Sequence, residues 1–134
     1  DGVELAVYVL LLEGLDALAA EQGVAGANAL LREVSMRLRE ACEPGDVLAR
    51  HAPDQFSLVL TRVESATEAT AFAGHLSELL NMALAASAPG HGLRAQVGVA
   101  LFPGDAVAPR ALLTLAEAHA YGAKLPQRRS VFLT

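Results

Sequence analysis

The 134-residue chain has no tryptophan, a single cysteine, a single lysine and only 4% aromatic residues. One thiol, Cys42, excludes an intrachain disulfide and any multi-cysteine metal cluster. On the apolar side of a helix it reads as a small buried hydrophobe rather than a nucleophile. No run of basic residues occurs and the formal net charge is −5. Such a surface attracts neither a phosphate backbone nor an anionic membrane, so nucleic acid is excluded as a partner. The strongly apolar stretch at residues 3–12 is about half of the ~20 residues a membrane-spanning helix needs. It also lacks the basic start and cleavage site of a signal peptide, so no membrane insertion is expected. The four histidines, His51, His75, His91 and His119, show no i, i+4 pairing of a helical zinc site and read as surface or boundary residues. No metal and no cofactor is expected.

What is present is aliphatic: 53% of the residues are apolar, many of them alanine. The length suits one domain with one core, residues 1–134. Because the sequence opens inside an apparent strand, the domain is expected to be cut from a longer multidomain protein.

Hydrophobic periodicity orders the elements. Val3, Leu5, Val7, Val9 and Leu11 alternate with Ala6, Tyr8, Leu10 and Leu12. Both faces are therefore apolar, the mark of a central strand covered on both sides. A short Ala-rich helix at residues 14–22 is closed by Gly23, and a longer one at 26–41 carries Leu31, Val34, Leu38 and Ala41 on one face. Glu43-Pro44-Gly45-Asp46 stops it. A β-hairpin follows, its tip at Ala49–Phe56. Ser65 and Glu68 form a capping box for a helix whose stripe is Phe72, Leu76, Leu79, Leu80 and Ala83. Residues 93–101 alternate as a strand. Pro109 opens a last helix reaching about residue 123, and 131–133 is a short final strand. The order βααββαβαβ predicts an α+β fold, a mixed central sheet flanked by helices in a ferredoxin-like arrangement.

Four blocks in register resemble GGDEF (diguanylate cyclase) domains. Gly23-Val24-Ala25-Gly26-Ala27-Asn28-Ala29-Leu30-Leu31 is similar to G-H-x-x-G-D-x-x-L. Asp46-Val47-Leu48-Ala49-Arg50 leads into a turn where A-R-x-G-G-D-E-F becomes Ala49-Arg50-His51-Ala52-Pro53-Asp54-Gln55-Phe56. Gln96-Val97-Gly98-Val99-Ala100 matches S-I-G-I-A, and residues 116–124 resemble A-D-x-A-L-Y-x-A-K, with Arg128 in place of the arginine of G-R. The resemblance implies the nucleotide-cyclase palm topology. Family enzymes join two GTP molecules into cyclic di-GMP, using carboxylates that hold two divalent metals.

By the same resemblance the D-x-D aspartates fall at Leu11 and Glu13, and the signature glutamate at Gln55. Leucine cannot ligate a metal, and a neutral amide holds Mg²⁺ far more weakly than a carboxylate. The guanine-binding asparagine and aspartate correspond to Ala19 and Asn28. Ala52 and Pro53 replace glycines, which stiffens the turn and removes an N–H donor. The R-x-x-D of the inhibitory product site reads Glu43 to Asp46, so an acid stands where an arginine would hold phosphate. Arg50 is expected to pair locally with Asp46 or Asp54. Lys124 and Arg128 match the triphosphate-contacting cations.

A catalytically inactive GGDEF-like domain is the reading these replacements favour. It would be a regulatory, protein-interaction module of bacterial cyclic di-GMP signalling, beside an EAL (phosphodiesterase or receptor) or PAS-type domain. The location implied is cytoplasmic, within a larger protein that can sit at a cell pole or membrane. Two other readings stay open. One is a non-catalytic nucleotide sensor that binds GTP weakly through Lys124 and Arg128. The other is residual cyclase activity resting on Glu13 and Asp54.

Overall fold

A computed structural model describes residues 3–122. Its elements run β1 (Leu5–Glu13), α1 (Leu15–Ala41), β2 (Val47–Ala52), β3 (Gln55–Leu60), α2 (Ala66–Ser87), β4 (Arg94–Phe102) and α3 (Pro109–Gly122). Lys124, Arg128 and the strand expected at 131–133 lie outside the described residues.

β1 is central in the described four-stranded sheet, whose order is β2-β3-β1-β4. Its two apolar faces go to two cores, as the double alternation requires. Ala6, Tyr8, Leu10 and Leu12 join a cluster with Leu31, Val34 and Leu38 of α1 and Leu76, Leu80 and Leu84 of α2. Val7, Val9 and Leu11 join a smaller cluster with Ala100 of β4 and Leu112, Ala116 and Ala120 of α3. Helices thus cover both faces of an α+β sheet.

The sheet is not mixed within the described residues: all three strand pairings are antiparallel. β2 does run parallel to β1, but β3 lies between them, so the parallel pair never exchanges hydrogen bonds. The two helices expected at 14–22 and 26–41 form one element broken at Gly23, whose φ of 80° and ψ of 173° are non-helical. A residue with a Cβ disfavours that conformation, so glycine sets the break.

Ser65 caps α2 as expected, its Oγ accepting from the Glu68 N–H at 3.1 Å. The Glu68 carboxylate accepts from the Glu64 N–H at 2.8 Å, one residue before the usual capping-box donor. α3 lies unusually close to β4. A Cβ on Gly98 would run into the Ala116 carbonyl oxygen and the Ala120 amide nitrogen. Ala116 and Ala120 on the facing helix are equally small and fully buried.

Two polar side chains fix this packing. The buried Tyr8 hydroxyl donates to the Ala69 carbonyl across the larger core, at 2.8 Å. Burial, and secondarily the Glu68 charge, pushes that phenol above its ordinary range. The Asn81 side chain of α2 bonds the Ala95 backbone in both directions, at 2.9 Å and 3.2 Å.

Candidate functional site at the end of the central strand

The hairpin tip meets the last residues of β1. Leu11 pairs with Gln55 of β3 on one side and with Gln96 of β4 on the other. Residues directly opposite on neighbouring strands share a sheet face, so a leucine lies between two neutral amides on the α3 face. Leu11 is only 5% exposed and Gln96 6%. The Leu12 N–H donates to the Asp54 carbonyl at 2.8 Å, pinning the turn against β1.

Arg50 holds the turn in another way than expected. Its Nε donates to the Ala52 carbonyl at 3.3 Å and a terminal nitrogen to the Pro53 carbonyl at 3.2 Å. The guanidinium lies 5.9 Å from the centre of the Phe56 ring. No ion pair joins it to Asp46 or Asp54 among the described residues. The Asp46 carboxylate is already occupied, accepting from the backbone N–H groups of Glu43 and Thr61 at 2.8 Å and 3.2 Å. Carbonyls two and three residues away are simply nearer to Arg50.

The remaining candidates are dispersed. Glu13 ends β1 half-buried, opposite Arg94. Asp54 is exposed at the tip. Ala19 packs against the larger core. Asn28 is exposed on α1, where it lines a groove with Arg32, Arg39 and Arg50. Glu43 and Asp46 close their own turn, and the Glu43 carboxylate pairs with Arg62 at 2.9 Å. An aliphatic Leu11 beside the neutral Gln55 and Gln96 is not a donor set for a pair of divalent cations, and the residues present do not fit such a centre. Among the described residues no group of three His, Cys, Asp or Glu side chains could hold a metal ion.

Other polar groups take structural roles. His119 is buried rather than at the surface or boundary, its Nδ1 donating to the Val99 carbonyl at 2.7 Å. Packing of α3 on β4 covers the ring, and the strand carbonyl satisfies it. His51 on the hairpin bonds the Ser57 hydroxyl at 2.6 Å. That pair borders an apolar recess of about 510 Å³ with Leu5, Val59, Val107 and Leu113 among its walls. Cys42, half-buried just past α1, packs against the larger core, where burial raises its thiol pKa. A protonated thiol is a poor nucleophile. No helix among the described residues is long and apolar enough to cross a membrane.

Comparison with known proteins agrees with this architecture. The family profile described as diguanylate cyclase, GGDEF domain, matches residues 2–130. The chain is 32% identical over 124 residues to the bifunctional diguanylate cyclase/cyclic di-GMP phosphodiesterase MucR of Pseudomonas aeruginosa. That alignment covers 92% of the chain and 18% of MucR. A sensory box/GGDEF family protein from Caulobacter crescentus superposes with a TM-score of 0.77 at 29% identity, over 92% of this chain and 80% of that one. An EAL/GGDEF domain protein from M. capsulatus superposes at 0.71 and 23% identity, over 92% and 80% of the two chains.

Proposed function

The chain belongs to the family of diguanylate cyclase GGDEF domains, and from that premise we propose that it is a catalytically silent member. It works in cyclic di-GMP signalling as a regulatory module that contacts another protein or a neighbouring domain. The observation that carries the reading is Leu11, buried between Gln55 and Gln96 at the end of the central strand. Family chemistry places a metal-binding carboxylate there. An aliphatic side chain supplies no lone pair, and the flanking amides carry no charge. Ala52 and Pro53 add to the case, since the turn loses the glycines and one N–H that a closely approaching nucleotide would use.

The neighbour proposed is a phosphodiesterase-type (EAL) or PAS-type domain. MucR combines cyclase and phosphodiesterase activities in one protein of which this chain spans 18%. Incubating the purified chain with GTP and either Mg²⁺ or Mn²⁺, with chromatographic detection of cyclic di-GMP, tests the reading. No product above a protein-free control is expected. Sustained formation of cyclic di-GMP would overturn it.

A further inference from the structure

Arg32 and Arg39 share one face of α1, while Glu33, Arg37 and Glu40 lie on the flank beside it. Asn28, Arg32, Ser35, Met36 and Arg39 form a single stripe at helical spacing. Together with Leu31 and with Arg50 from β2 they line an open groove of about 490 Å³. No carboxylate lines it among the described residues. Glu33 on the flank is spent on Arg37 at 2.8 Å, and Glu21 pairs with His91. Arg32 and Arg39 are exposed, and no side-chain hydrogen bond or ion pair engages either guanidinium among the described residues. Arg50 commits its donors to two turn carbonyls and keeps others of its five for a ligand. Between the guanidinium groups lies an apolar floor, where Met36 is 49% exposed above the buried Leu31.

We propose that this groove docks an acidic segment of a partner protein, in which carboxylates flank an apolar side chain. Guanidinium forks match carboxylates bidentately, and the floor matches the apolar residue. Seven residues separate Arg32 from Arg39, about 10 Å along the helix. A single phosphate reaches one of them, whereas carboxylates spread along a peptide reach both. A long polyanion such as nucleic acid would meet the surrounding surface of a chain whose net charge is −5. The inference rests on the regulatory reading above and supplies the chemistry of its partner.

The test uses a fluorescein-labelled 12-residue peptide of glutamate residues flanking central leucines, titrated with the intact chain at low and moderate salt. Saturable binding is expected, weakening with salt. It should fall at least tenfold for Arg32→Gln/Arg39→Gln, with circular dichroism unchanged because both positions are exposed. The same fall is expected when glutamine replaces glutamate in the peptide. Absence of binding at low salt, or equal binding by the variant or the glutamine peptide, overturns the proposal. Displacement by inorganic triphosphate at lower concentration than the peptide also overturns it, and marks the groove as a small-anion site. If the peptide fails to bind and no cyclic di-GMP forms, the groove alone is wrong. If cyclic di-GMP forms, the reading beneath it is wrong.

Discussion

From Ala6 to Leu10, β1 is buried on both faces and paired on both edges, with every side chain at most 7% exposed. At Leu11–Glu13 the same strand reaches the hairpin tip, where family members place their chemistry and this chain presents a leucine between two amides. The middle of the strand follows the family's pattern of alternation, and its end departs from the family's residue types. On the proposed reading, fold and reaction are written in different residues of one strand, and the first can survive without the second. The middle is constrained by packing, where one methylene matters. Leu11 and Leu12 are as buried as the middle. Only the turn residues beside them, His51, Pro53 and Asp54, are exposed, and there packing does not dictate the side chain.

Substitutions should grade accordingly. Gly98→Val is expected to cost the most, upwards of ~4 kcal/mol, because its side chain collides with α3 backbone that cannot yield without detaching the helix. Urea unfolding measures this, and a loss below ~1 kcal/mol would show that α3 does not approach so closely. Leu38→Ala, at a fully buried position, should cost about 2–5 kcal/mol through lost burial and a cavity.

Tyr8→Phe leaves the Ala69 carbonyl without its donor and should cost about 1–3 kcal/mol. It also carries a pH signature. The folded phenol holds its proton more tightly than the unfolded one, so its contribution is full below pH ~10, the ordinary tyrosine value. Above that pH the unfolded chain releases a proton that the folded chain keeps, and stability falls by up to ~1.4 kcal/mol per pH unit. Unfolding midpoints from pH 9 to 11 should decline more steeply for the natural chain than for Tyr8→Phe. Asp54→Asn, at the exposed tip, should change stability by no more than ~0.5 kcal/mol. A large effect there would erase the contrast between the strand's middle and its end.

Much of the scaffold is legible in the sequence because it is written as periodicity. The double alternation of β1, the stripe of α1 and the Ser65 cap appear where local pattern predicts them. Of the α2 stripe, Leu76, Leu80 and Ala83 are buried, Phe72 and Leu79 only half-buried, and Leu84 completes the core instead. What local pattern does not carry is which strands become neighbours. Among the described residues, the absence of a parallel pairing follows from β3 inserting between β1 and β2, a tertiary outcome. Gly23 signals a helix stop, and the chain does kink there, yet it resumes the helix, with Ala27, Leu30 and Leu31 beyond it buried in the larger core. His119 looks like a surface residue by type. Only the close packing permitted by Gly98 and Ala116 buries it over the Val99 carbonyl. Arg50 was legible as a structural cation, but its partners are carbonyls of its own turn, which no charge pattern announces. Asn81 gave no signal at all, since an amide on a helix reveals its partner only once β4 is in place.

Calorimetric titration of GTP with Mg²⁺ into the chain tests most directly the proposal that this GGDEF domain acts through protein contacts rather than through a nucleotide site. No saturable heat is expected up to high micromolar nucleotide. Clear one-to-one binding would contradict it.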